Sequence, residues 1–497
     1  MIQIIPETGA PLSPYLYMQF AEPLGNADAS IDAAWNSLEE NWQEPAIEII
    51  RKLAPPMIRW GGCFSSYYHW QEAVGPREKR LPILNLTWEG VFSNQVGTAE
   101  IVQLCRRVGA EPLFCVNFES DGRKNWAFPR PDLNRLGTAG EAAEWVAYCN
   151  DPDHPLRRAH GDPAPYHIRY WQLGNETSYG YPEATGSHRR VRDGFSCREN
   201  IAALKRFSDA MRATDSSLKL IAWGDDDWAP QVCEEAGDRF DLIAFHCHYN
   251  YPADGSRGAI GGNDYRRDPD ATWACLMATR DEVDRKIAHL AEQVRPCGKR
   301  LAMTEGHYIV PGRNRGDVLS TWAAGVAYAR ILNVFERHCD ILEIATCADF
   351  FGNRWQVNAV MLPTPVWSGR PFLMPVGQVM ALYRNHTGKH AVPASCSDPD
   401  VDLTASIDGD RIFLHLVNTA PGRAVRLPIA VVNRTIRKAT AWEISADPML
   451  EVIEPTAARI EPVARRIENG VYTLPAAGVA AIELDLEERQ NLDSPGI

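Results

Sequence analysis

Glu176, in the run IRYWQLGNE, and Glu305, in LAMTEGHY, each follow a short apolar stretch that reads as a β-strand. Two carboxyl groups facing one cleft suit the cleavage of a glycosidic bond. One attacks the anomeric carbon while the other protonates the leaving oxygen and later activates water. In the retaining form of this chemistry the two lie roughly 5 to 5.5 Å apart. Other strand ends add Glu22, Arg59 with Cys63, Asn175, and the trio His246, Cys247 and His248. A large barrel carries several strand-end carboxylates in any case, so pattern alone leaves this pair as one reading among several.

The elements that must position these groups recur along the chain as short β-rich runs separated by helical segments, the pattern of βαβ units. Eight strands are expected, at residues 15–21, 57–62, 112–117, 168–173, 218–223, 242–246, 301–304 and 342–347. Eight parallel strands with alternating helices argue for a closed (β/α)8 TIM barrel, whose active site is built at the C-terminal ends of the strands. Thr98 is placed to cap a helix that Gly109 ends, and a longer helix is expected over residues 317–338 with Trp322 in the core. After about residue 376 alternating stretches such as DLTASI, RIFLHLVN and VYTLPAAGVAAIELDL read as an antiparallel β domain, a jelly-roll-like β-sandwich. The expected division is therefore a strand in residues 1–14 joining the sandwich, a catalytic barrel over 15–375, the sandwich over 376–490, and a tail at 491–497.

Bulk properties bound the partners. The 497 residues exceed one ordinary core, and a hydrophobic share of 45% with 23% charged residues is that of a globular protein. A formal charge of -13 disfavours nucleic acid and anionic membrane surfaces, which require a positive face. The opening MIQIIPETGAPLSP has no basic segment followed by an apolar run, and no stretch reaches the roughly 18 apolar residues of a membrane span. Twelve cysteines are scattered without a CxxC pair. A cytoplasmic protein without cofactor or metal is the expectation, and the 15 tryptophans supply flat apolar faces of the kind sugars stack on.

Longer runs narrow the class. YMQFAEPLG, RWGGCF, NLTWEGVFSNQVGTAEIVQLCRRVGAEPLFCVNF, EWVAYCN, PYHIRYWQLGNE and LNVFERHCDILEIA occur in that order, and over nearly the whole chain the sequence resembles glycoside hydrolase family 51, the α-L-arabinofuranosidases. The resemblance implies a barrel with a β-sandwich and an exo-acting retaining mechanism on an oligosaccharide or glycoside. It also implies homo-oligomeric assembly as a trimer or hexamer. Carried over position by position, it makes Glu176 the acid/base and Glu305 the nucleophile. Glu22, Asn175 and His246 become sugar-binding residues, and Arg59 becomes the arginine beside the nucleophile. Asn175 would donate to the sugar's 2-hydroxyl. Trp88 stacks a sugar or is a structural tryptophan, and both readings stand.

Departures from the family pattern fall in the pocket. Cys63 replaces an asparagine, His248 replaces the tyrosine of His-x-Tyr, and Gly306 with His307 replaces Trp-Asn after the nucleophile. In CADFFGNRWQVN, Asp349 and Gln356 compete for the place of one glutamine. Loss of the asparagine amide at Cys63 and of the tyrosine hydroxyl at His248 removes polar partners of the sugar, and loss of the tryptophan at Gly306 is expected to enlarge the pocket; together the three make a different or larger glycone such as a β-D-galactofuranoside the alternative substrate. Two further alternatives are a non-catalytic sugar-binding protein on the same scaffold and a metal site at His246 and His248 approached by Cys63 and His307. The run Asp225, Asp226, Asp227 is expected to be a solvated loop or a wall of the acceptor site.

Overall fold

Parallel strands covered on both faces need apolar side chains at nearly every position. The computed structural model places the expected runs in one curled sheet. It describes residues 1–24, 30–88, 90–119, 135–179, 195–249, 260–309, 316–353, 356–363, 369–454 and 460–487. The expected tail at 491–497 lies outside these residues.

Eight strands follow one another in parallel register: Gln19–Ala21, Met57–Trp60, Glu111–Val116, Tyr170–Leu173, Lys219–Trp223, Leu242–Tyr249, Arg300–Tyr308 and Leu342–Ile344. The last strand returns to the first. Met18 N donates to Ala345 O at 2.9 Å and Ala345 N to Tyr15 O at 3.1 Å, which closes the barrel. The first strand is shorter than expected because Pro14–Tyr17 forms a 3-10 turn. Proline suits its first position, and Ser13 Oγ accepts from Tyr15 N. The sixth and seventh strands run longer than expected and pair as far as Tyr249 and Tyr308. That extension carries the site residues.

Outside the barrel, Thr98–Val108 ends at Gly109, whose φ of 75° is the left-handed conformation glycine adopts without strain. Its cap differs from expectation. Gly97 is the capping position, Glu100 Oε2 accepts from Gly97 N, and Thr98 Oγ1 instead accepts from Trp145 Nε1. The expected 317–338 helix is two pieces, a 3-10 turn Asp317–Ser320 and an α-helix Trp322–Arg337 capped by Thr321. Trp322 is fully buried, and its indole donates to Ala477 O at 2.8 Å in the C-terminal region. Among the described residues no helix is long and apolar enough to cross a membrane.

The C-terminal region forms two sheets. One orders Ala394–Cys396, Ile2–Ile4, Val425–Val431 and Val471–Leu474. The other orders His390–Ala391, Val401–Asp408, Arg411–Asn418, Val479–Leu486, Ile436–Ile444 and Val463–Arg466. Their facing side chains, among them Ile2, Ile4, Leu414, Leu427, Ile482 and Leu484, make a separate core, as a sandwich requires. Alternation of buried and exposed residues along Val425–Val431 marks its solvent face.

A buried polar network fastens the sandwich to the barrel. Glu336, from Trp322–Arg337, accepts from Tyr17 and Thr404 hydroxyls and meets His415 Nδ1 at 2.7 Å. Asp402 receives Arg280, Arg330, Arg337 and Asn333. Burial pushes the Glu336 carboxyl up, but His415 and the hydroxyl hydrogen bonds outweigh it and hold the group below its ordinary range. A carboxyl depressed in the folded state stabilises above its unfolded value, and that contribution disappears as pH falls through the folded one. Glu336→Ala should therefore cost about 3–5 kcal/mol, because it leaves buried partners uncompensated. In denaturant titrations, wild type should lose its advantage over this variant on acidification. A pH-independent difference would refute the ionised-carboxylate account.

Candidate active site

Arg59 lies on the second strand with no exposed surface. A buried guanidinium is tolerable only with its donors matched to acceptors. Arg59 donates from Nε to Gln172 Oε1 at 2.8 Å, from one terminal nitrogen to Glu305 Oε1 at 2.7 Å, and from the other to Asn175 Oδ1 at 2.6 Å. One side chain thus ties the second, fourth and seventh strands. Because arginine only donates, the Asn175 atom that faces it is the oxygen. Asn175 Nδ2 is left pointing elsewhere, buried and with no partner among the described residues. That is a donor held ready for a ligand.

Burial alone would raise the Glu305 carboxyl, but His246, Arg59 and His248 outweigh it and hold the group well below the usual carboxylate range. Its other oxygen, Oε2, lies 3.5 Å from His246 Nδ1 and 3.8 Å from His248 Nε2. The same His246 nitrogen is 2.9 Å from Glu176 Oε1, while His246 Nε2 meets Thr304 Oγ1 at 3.0 Å. A register shift between Phe245 and His246 sets His246 opposite Glu305 rather than Thr304. The histidine therefore sits between the two carboxylates.

One ligand atom from each of Glu176, His246, His248 and Glu305 lies within 4.8 Å of the others. The carboxylate approach suits a retaining pair and is shorter than the roughly 6.5–9.5 Å of inverting pairs. Glu176 has a φ of 52°, left-handed backbone that a glutamate rarely adopts, just after Gly174 at 82°. Such conformations persist where the surroundings impose them, commonly at functional sites.

Glu22 forms the opposite wall. Cys63 N donates to Glu22 Oε2 at 2.7 Å, and Trp88 Nε1 donates to Oε1. Burial, then the charges of Glu305 and Asp349, push its carboxyl well above the ordinary value against these hydrogen bonds. A β-carbon on Gly62 would lie 1.4 Å from Glu22 Oε2, so this close approach requires glycine. His307 Nδ1 donates to Tyr308 O at 2.8 Å, and burial with the neighbouring His248 lowers its pKa to about 3. Its ring is 4.8 Å from that of His248 and stacks on Phe20.

Most expected residues converge here, with corrections. Cys63 offers its main-chain amide to Glu22, and the metal-compatible set contains both glutamates in place of Cys63 and His307. Trp88 has its indole nitrogen committed to Glu22. Asp349 lies opposite Phe20, close enough to Glu22 to act on its charge. Gln356 is buried, with Oε1 unpaired among the described residues and no hydrogen bond joining it to either glutamate.

Gly306 does not enlarge the pocket. A β-carbon there would meet Thr346 O at 2.5 Å, Met303 Cε at 3.0 Å and the Tyr249 hydroxyl at 3.2 Å, because alternation along the strand sends position 306 away from the side of Glu305 and His307. The solvated-loop reading holds for exposed Asp227 and fails for Asp225. Asp225 is buried, accepts from Tyr179 at 2.6 Å and Lys286 at 2.5 Å, and lies 3.4 Å from His246 N. Sequence reasoning also missed Gln172 and Thr304. The signal for Gln172 was a lone amide inside the otherwise apolar YWQL.

Comparison with known proteins relates the chain to α-L-arabinofuranosidases. The sequence family described as "Alpha-L-arabinofuranosidase 1 domain" matches residues 49–258, and "Alpha-L-arabinofuranosidase C-terminal domain" matches 311–487. A probable alpha-L-arabinofuranosidase C from Aspergillus niger is 33% identical over 223 residues, a match spanning 43% of this chain and 39% of that protein. An intracellular exo-alpha-L-arabinofuranosidase from Bacteroides ovatus is 26% identical over 94% of this chain and 92% of its own. The solved family 51 alpha-L-arabinofuranosidase from Thermotoga petrophila superposes with a TM-score of 0.74 at 23% identity, covering 97% of this chain and 99% of that one.

The crowding at Gly306 is directly testable. Gly306→Ala should lower stability by about 1–3 kcal/mol, the usual range for overpacking. Unchanged unfolding midpoints would mean that position 306 does face open space.

Proposed function

This chain belongs to the family 51 α-L-arabinofuranosidase-like glycoside hydrolases, and on that premise we propose that it removes terminal α-L-arabinofuranosyl residues by double displacement. The approach of Glu176 to Glu305 across His246, with Arg59 on the far oxygen of Glu305, carries the reading.

In the proposed cycle, Arg59 occupies Glu305 Oε1, which leaves Oε2 to attack the anomeric carbon. Glu176 gives its proton to the departing oxygen, and a glycosyl ester forms on Glu305. Water then donates a proton back to Glu176 while its oxygen bonds to the anomeric carbon and the ester bond breaks. Asn175 Nδ2, held by the bond its oxygen accepts from Arg59, is placed to donate to the sugar's 2-hydroxyl, an interaction that strengthens in an oxocarbenium-like transition state. Glu22, positioned by the Cys63 amide and Trp88, is assigned to ring hydroxyls.

An arabinofuranosyl glycone is favoured over the longer-armed galactofuranosyl one. Gly306 opens no space, and the His248 and His307 rings occupy the neighbouring wall. Exo action and an intracellular location are adopted from the Bacteroides ovatus relative, and trimeric or hexameric assembly from the family resemblance.

Glu305→Ala should reduce turnover of an aryl arabinofuranoside to near background; retention of most activity would remove it from the nucleophile role. Glu176→Ala should lose about 10²–10⁴-fold on substrates with poor leaving groups and much less on activated aryl glycosides, with azide restoring the latter. Equal losses on both would argue against an acid/base. A nitrophenyl panel of α-L-arabinofuranoside, β-D-galactofuranoside, β-D-xyloside and β-D-glucoside should be dominated by the first. A dominant galactofuranoside rate would overturn the glycone assignment, and silence on all four would favour a non-catalytic sugar-binding protein.

A further inference from the structure

We infer that Glu176, His246, His248 and Glu305 together form a binding site for a borderline-soft divalent cation, Zn2+ or Co2+, whose occupancy masks both carboxylates. Tetrahedral zinc holds nitrogen and oxygen ligands at about 2.0–2.2 Å, which puts neighbouring ligand atoms about 3.3–3.6 Å apart. The distances here bracket that spacing: 2.9 Å from His246 Nδ1 to Glu176 Oε1, 3.5 Å to Glu305 Oε2, and 3.8 Å from His248 Nε2 to the same oxygen. All four ligand atoms fall within 4.8 Å of one another, so modest side-chain adjustment suffices.

The surroundings have the form that orients metal ligands. His246 Nε2 is bonded to Thr304 Oγ1, which directs Nδ1 toward the two carboxylates, and Arg59 on Glu305 Oε1 leaves Oε2 for the cation. Glu305 Oε2 and Glu176 Oε1 supply the anionic ligands, and the cation would displace any proton that Glu176 carries in the proposed cycle. Two imidazoles select Zn2+ or Co2+ over Mg2+ and Ca2+, which prefer all-oxygen shells. His248 is decisive, because the tyrosine of the family pattern offers no nitrogen at that position. On the proposed reading of Glu305 as the nucleophile, the role is inhibitory, since Oε2 is itself a ligand.

Metal binding is independent of the glycosidase reading and can be measured without substrate. Titration of the full chain with Co2+ should give visible d–d bands at one equivalent, without a thiolate charge-transfer band, and Zn2+ should displace it. His248→Tyr and Glu305→Gln should each weaken Zn2+ binding by calorimetry at least tenfold, with unchanged circular dichroism. Thr304→Val should cost roughly 10–100-fold through loss of orientation. Absence of binding, a thiolate band pointing to the free cysteines, or undiminished affinity in folded His248→Tyr would overturn the proposal. The wild-type spectrum alone decides between imidazole–carboxylate and thiolate ligation if a variant fails to fold. If the chain is active, Zn2+ should inhibit it reversibly and a chelator should restore it; inhibition that His248→Tyr does not relieve would count against the site.

Discussion

The buried guanidinium of Arg59 is the constraint on which the site depends. It has no access to water, so each donor must find an acceptor inside the barrel. Those acceptors come from Gln172, Asn175 and Glu305, on two other strands. With His246 and His248, Arg59 holds the Glu305 carboxyl well below the usual range, and its bond to Asn175 Oδ1 fixes the orientation of that amide. A lysine could not replace it, because one ammonium cannot span three acceptors arranged around a plane. These three bonds offset the cost of burying the cation.

Barrel closure places the next wall of the site. The bonds of Ala345 to Tyr15 and Met18 seal the seam next to the strand that leads to Glu22. Glu22 then meets the Cys63 amide across a glycine that tolerates no side chain. Glu336 of the helix Trp322–Arg337 meets Thr404 and His415 of the sandwich, and the sandwich residue Asp402 receives Arg330, Arg337 and Asn333 of that helix, so charged groups as well as apolar contact join the two. The sandwich thereby braces the helix Trp322–Arg337, which packs outside the barrel.

Much of this was legible in the sequence, for definable reasons. Apolar runs with a polar residue at the end mark barrel strands, and all eight were placed, along with the strand-end groups Glu22, Arg59, Asn175, Glu176, His246 and Glu305. Failures arose where a residue's direction mattered more than its type. Gly306 read as a missing tryptophan and hence as space, yet it alternates away from the pocket toward Thr346. Asp225 read as part of a solvated loop or of a wall of the acceptor site, and the solvated half of that reading fails because its partners Lys286 and Tyr179 lie 61 and 46 residues away. Cys63 acts through its amide, a group present in every residue but proline, so its side-chain chemistry was no guide. The register shift at His246 is a backbone event with no side-chain signature.

The division of labour between the two glutamates cannot come from burial, because Glu176 and Glu305 are 2% and 7% exposed. Nor can it come from His246, which touches both. What differs is the fixed positive charge: Arg59 reaches Glu305 alone, and His248 adds a second contact on the same side. In the proposed cycle the permanent charge therefore belongs to Glu305. In that cycle the transferred proton is carried by Glu176, whose backbone is left-handed and whose Oε1 meets His246 Nδ1. A buried cation beside one of two chemically identical side chains is thus what makes them unlike partners in the proposed cycle.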